Sequence, residues 1–158
     1  MSGQLKFVCL VVLLFVSGRA RADDCEAMAA QIAAKIGLDA GKRVPANFIP
    51  LRARTDDDDD YGAYLLCPRA DFPMKLRYVS PPSQPPTWFD FVGRSGAILT
   101  SANPSLIILE AKRCVEKARS DGEIARSAAA GFMIECDVDK ADGRAEIFLT
   151  RYTNPRRR

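Results

Sequence analysis

The chain of 158 residues contains no histidine. That removes the side chain most often used as a general base near neutral pH, and the commonest metal ligand. No two cysteines stand in Cys-x-x-Cys spacing, so neither a thioredoxin-type redox centre nor a zinc ribbon is indicated. Gly93-Arg94-Ser95-Gly96 falls short of the Gly-x-Ser-x-Gly nucleophile elbow, and no Ser-x-x-Lys pair exists. The longest apolar run, Phe7 to Val16, has ten residues. As a helix it covers about 15 Å, half of a bilayer core.

That short run sits in a recognisable setting. Lys6 precedes it, and Ser17-Gly18-Arg19-Ala20-Arg21-Ala22 follows and ends in an Ala-x-Ala pattern. Together they read as a secretory leader over residues 1–22, with residues 23–158 as a single mature domain. Export changes two counts. Lys6, Arg19 and Arg21 leave with the leader, so the excess of 23 basic over 20 acidic residues disappears. Overall charge therefore gives no argument for nucleic-acid binding. Of the five cysteines, Cys9 also leaves, and Cys25, Cys67, Cys114 and Cys136 remain. An even number in an oxidising compartment reads as two disulfides.

Two helices are expected. Cys25, Met28, Ala29, Ile32, Ala33 and Ile36 recur at helical spacing between Asp24 and Gly37. Ile107, Ile108, Ala111, Cys114, Val115 and Ala118 form a second stripe over 103–119, with Asn103 as cap and Pro104 in the first turn. Residues 123–130 fit a short helix or a loop. Alternation of period two marks strands at Met74–Tyr78, Phe132–Val138 and Ala145–Thr150, the last two joined by turn residues 139–143. Phe48–Arg54 and Tyr61–Cys67 read as another hairpin, in which Pro50 predicts an edge position or a bulge. The order helix, hairpin, helix, hairpin is a faint architectural repeat, and it favours pairing Cys25 with Cys67 and Cys114 with Cys136. The expected fold is α+β, a mainly antiparallel sheet with both helices on one face.

Several features bear on function. Asp56–Asp60 could hold a hard cation, but calcium loops space their ligands, so a solvated loop fits better. Asp137 to Phe148 fails the register of an EF-hand loop and suits a hairpin turn. No metal site and no cofactor is implied. Arg156–Arg158 reads as a solvated tail. The proline-rich stretch Ser80–Thr87 reads as a stiff extended segment leading into Trp88, Phe89 and Phe91. Those three rings form either a contact surface or part of the core, with Phe89 and Phe91 then inward on a strand.

The functional expectation is a small periplasmic or secreted protein that binds rather than catalyses. Its partner would be an envelope or secreted protein, or an envelope polymer, with no nucleic acid and no membrane span after cleavage. The alternative is a carboxylate-dependent hydrolase acting on envelope polysaccharide, since two placed acids suffice for that chemistry. The exported protein is predicted to begin at Asp23 and to weigh four hydrogens less than its reduced form. Intact mass with and without reductant checks this, and an uncleaved chain with free thiols is the contrary result.

Overall fold

The structure, a computed structural model, describes residues 24–45, 47–53, 62–69 and 72–152. The expected leader, the Asp56–Asp60 run and the Arg156–Arg158 tail lie outside these residues. Among the described residues there are three helices and seven strands. Residues 24–36 form α1. There follow β1 (Leu38–Ala40), β2 (Phe48–Ala53), β3 (Gly62–Leu66), β4 (Lys75–Val79), α2 (Pro86–Thr100), α3 (Pro104–Asp121), β5 (Ala125–Ala129), β6 (Phe132–Val138) and β7 (Ala145–Arg151).

The strands make one sheet in the order β1-β2-β3-β4-β7-β6-β5. Every neighbouring pair is antiparallel. Two meanders, β1 to β4 and β5 to β7, therefore meet at the β4–β7 pair. Register puts the inward residues in line. Ile49 pairs with Leu65, Leu65 with Leu76, Leu76 with Leu149, and Leu149 with Ile134. All five are buried. Because paired residues point to the same side, they define one continuous apolar face.

All three helices lie on that face. Cys25 of α1 is bonded to Cys67, just past β3, and Cys114 of α3 to Cys136 of β6. These are the two expected bridges. They close loops of 42 and 22 residues, and loop-closure entropy makes each worth about 3–4 kcal/mol. Asn103 caps α3 as expected, its side chain accepting from the Ser105 amide at 2.9 Å. Gly122 ends the helix at φ 68°, a conformation that costs glycine little.

Helix α2 departs from the expected extended segment and aromatic strand. Pro86 stands in its first turn, where a missing amide proton is harmless. Trp88, Phe89, Val92, Ser95, Gly96 and Leu99 then turn inward at helical spacing. Ser95 bonds the Tyr78 hydroxyl at 2.8 Å in the core. Burial pushes the Tyr78 hydroxyl well above the ordinary phenol range, and the Ser95 bond offsets part of that. Residues 123–130 contain a strand, β5, rather than a helix. Pro50 is in an inner strand and in no bulge, but its place along that strand is a local edge. It lies in β2 opposite Tyr64, where β1 has just ended, and Gly41 donates to its carbonyl at 2.8 Å. The donor that proline lacks is thus missing where the ladder stops.

Close approach of α2 and α3 depends on Gly93. A Cβ there would lie 2.4 Å from Ile108 Cγ1 and 2.9 Å from the Pro104 carbonyl oxygen. The carbonyl belongs to backbone and cannot rotate aside. Gly93→Ala is therefore predicted to lower stability by about 1–3 kcal/mol through overpacking. Chemical denaturation checks this, and an unchanged midpoint would show that the helices are not tightly apposed.

Candidate functional site

The opposite face of the sheet has no helix on it among the described residues. Register arranges it in cross-strand rows. The central row is Arg126, Glu135, Phe148, Arg77, Tyr64 and Pro50. Beside it run Met133, Thr150, Lys75, Leu66 and Phe48 on one flank. Asp137, Glu146, Val79, Gly62 and Arg52 form the other flank. A solvated antiparallel face ordinarily alternates polar outward against apolar inward. Here Phe48, Tyr64, Leu66, Val79, Met133 and Phe148 all point outward and remain half-buried.

The aromatic and charged groups on this face contact one another. Phe48 and Tyr64 meet edge to face with centroids 5.4 Å apart. The Arg77 guanidinium lies 5.7 Å from the Tyr64 centroid and pairs with Glu146. Arg126 pairs with Glu135 at 2.6 Å. Such half-exposed pairs add little to stability, but they hold long side chains in place across the sheet.

A cleft of about 400 Å³ opens at one end, lined by Asn47, Leu66, Arg69, Phe72, Lys75 and Phe148 among others. Phe72 stands on its outer wall, paired through the backbone with Arg69. Arg69 and Phe72 exchange backbone hydrogen bonds of 3.0 and 3.2 Å, leaving the Phe72 ring 63% exposed. Asn47 ties the other wall to the core. Its side chain donates to the Cys67 carbonyl at 2.9 Å, its carbonyl accepts from the Cys67 amide at 3.0 Å, and Arg43 bonds its side-chain oxygen. The Cys25–Cys67 bridge thus anchors the cleft as well as α1.

A second cleft of about 380 Å³ lies at the other end, lined by Arg77, Val79, Asp137, Asp139, Arg144 and Glu146. The two are related by the sheet itself. A half-turn about the Arg77–Phe148 pair carries Leu66–Lys75 onto Asp137–Glu146, and Gly62–Val79 onto Met133–Thr150. The first cleft has the larger apolar lining, and its counterpart mixes Asp137, Asp139 and Glu146 with Arg77 and Arg144.

Of the two readings of Trp88, Phe89 and Phe91, burial agrees with the core, on a helix rather than a strand. Trp88 is 0% and Phe89 8% exposed, and they stack edge-on at 4.9 Å. Phe91 packs half-buried against Tyr78 at 5.7 Å. The prolines that precede them do not form a free polyproline arm. Gln84 binds the loop down, donating to the Pro82 and Gly143 carbonyls at 2.7 and 2.6 Å, while Arg119 bonds its side-chain oxygen. Helical winding is the cause, because it turns Trp88 and Phe89 together into the core. Sequence reading missed the outward residues of β2, β3, β4 and β7. A signal was present, since Phe48, Tyr64 and Phe148 each fall on the solvent side of the alternation. No group of three or more acidic or cysteine side chains suited to a metal occurs among the described residues.

Comparison with protein-family models, curated proteins and solved structures finds no match.

The two cleft walls should respond differently to truncation. Asn47→Ala leaves the Cys67 carbonyl without its side-chain donor, with a predicted cost of about 1–2 kcal/mol. Phe72→Ala removes an exposed ring and should change stability by less than about 0.5 kcal/mol. Denaturation midpoints of the two variants check the contrast, and equal losses would contradict it.

Proposed function

We propose that the protein is an exported binding protein that works through the bare face of its sheet. The observation that carries this reading is the apolar content of that face. Three aromatic rings and three aliphatic or thioether side chains point away from the core, in rows interleaved with arginines. Arginine and aromatic groups combined in this way are the usual material of binding hot spots. Two disulfides and the Ala-x-Ala leader pattern support action outside the cytoplasm. No helix among the described residues is long and apolar enough to cross a membrane. The partner is another envelope or secreted protein, or an envelope polymer. Carboxylate chemistry draws no support from this face, where Glu135 is paired with Arg126 and Glu146 with Arg77.

Site-specific photo-crosslinking in the producing cell tests the proposal. The photoreactive residue p-benzoylphenylalanine replaces Tyr64 on the bare face, or Leu109 on the exposed side of α3. Discrete adducts are expected from position 64 and none from position 109. Adducts from position 109 alone would overturn the assignment of the face.

A further inference from the structure

The two edges of the sheet are protected to different degrees. At one edge β1 is three residues long and carries Asp39 at its centre. Shortness and charge are ordinary ways of discouraging another chain from pairing there. At the other edge β5 pairs with β6 over five residues without a bulge, and no strand among the described residues lies on its outer side. Its sequence, Ala-Arg-Ser-Ala-Ala, has no proline and no lysine. Its one charged side chain, Arg126, is drawn back toward β6 by Glu135 at 2.6 Å. The other side chains are too small to shield the backbone.

Hydrogen-bond parity shows which groups this edge offers. The Tyr152 amide donates to the Gly131 carbonyl, and the Asp139 amide to that of Arg144. Odd-numbered residues of β6 therefore bond toward β7, and its even-numbered residues bond toward β5. Those even-numbered residues stand opposite Ala125, Ser127 and Ala129. Arg126 and Ala128 are left with their N–H and C=O groups directed outward.

A strand of this length, laid antiparallel on a second copy of itself, overlaps fully in one register, centred on Ser127. The outward groups select the same register. It sets Arg126 opposite the partner's Ala128 and Ala128 opposite the partner's Arg126, and each pair exchanges both of its backbone bonds. Sliding one strand by two residues would instead set the two Arg126 side chains face to face, a like-charge pair that disfavours pairing. Ile124, which is 54% exposed just ahead of β5, falls opposite the partner's Ala130 and gains cover there. The edge is thus complementary to itself in both hydrogen bonding and charge.

We infer that the protein forms a two-fold dimer by pairing β5 with β5 of a second copy, in the register centred on Ser127. The axis stands normal to the sheet, so the contact is isologous and closed. It joins two seven-stranded sheets into one, with all helices on one side and the two bare faces side by side on the other. The inference does not depend on binding through the bare face. The contact is smaller than a stable interface of ordinary size, so association is weak and dimer and monomer exchange.

Sedimentation velocity of the oxidised protein, from about 5 μM to about 500 μM, tests the inference, with monomer expected at the low end and dimer at the high end. Ala128 is exposed, so its substitutions report on the contact and not on the core. Ala128→Glu sets a carboxylate opposite the partner's Arg126 twice in each dimer, and should tighten association about fivefold. Ala128→Lys should weaken it by about as much. Ala128→Pro removes an outward donor at a position where an edge strand tolerates proline, and should abolish the dimer. Amide hydrogen exchange at Arg126 and Ala128 should slow as concentration rises. A monomer throughout the range would overturn the inference, and slow exchange of those amides in that monomer would show that another segment of the chain covers the edge. A dimer indifferent to the charge at position 128, or one that leaves both amides in fast exchange, would overturn it equally.

Discussion

The pairing of β4 with β7 is the constraint on which the rest of the molecule depends. It joins Lys75–Val79 to residues 146–150, across the whole of α2, α3 and the second meander. Without it there are two small sheets, each with one apolar face and too little area to bury it. With it the inward rows run unbroken from Ile49 to Ile134, and three helices find a common floor. A contact of such long sequence separation costs loop-closure entropy before it yields any burial. The two disulfides sit one in each meander. They tie α1 to the first meander and α3 to the second.

The same junction organises the bare face on which the proposed binding rests. Arg77 and Phe148 sit opposite each other at its centre on the outward side. The strands flanking them follow a local two-fold, so one architectural position occurs twice and carries different chemistry each time. Leu66 and Lys75 at one end have Asp137 and Glu146 as counterparts at the other. The two ends therefore differ, with Leu66, Phe148 and Lys75 at one and Asp137, Asp139 and Glu146 beside Arg77 and Arg144 at the other. Helix packing on the far side supplies rigidity, and Gly93 lets α2 and α3 approach closely enough to form one layer.

Much of this was legible in the sequence. The stripes of α1 and α3 and both hairpins follow from periodicity and turn residues, and the faint repeat favours the two cysteine pairings without requiring them. Helix α2 was obscured by its approach: three prolines precede it and a fourth opens it, and Phe89 and Phe91 mimic a strand when read two at a time. The inward set Trp88, Phe89, Val92, Ser95, Gly96 and Leu99 was present in the sequence, but two of its members are small and carry little hydrophobic signal. β5 reads Ala-Arg-Ser-Ala-Ala, with no β-branched residue to announce a strand. It is held by β6 and α3 rather than by its own propensity. The candidate site was the least legible part, because it depends on register. Tyr64, Arg77, Phe148 and Glu135 are far apart in the chain, and only strand pairing places them in one row.

Hydroxyl-radical footprinting of the isolated protein tests the two-sided sheet most directly. Phe48, Tyr64, Phe72 and Phe148 should oxidise in the folded state, while Trp88, Tyr78 and Phe132 should stay protected until denaturant unfolds the domain. Tryptophan is intrinsically the most reactive of these rings, so its protection is a stringent outcome. Oxidation of Trp88 at the rate of an exposed indole, with Tyr64 and Phe148 protected, would reverse the two faces and contradict the account.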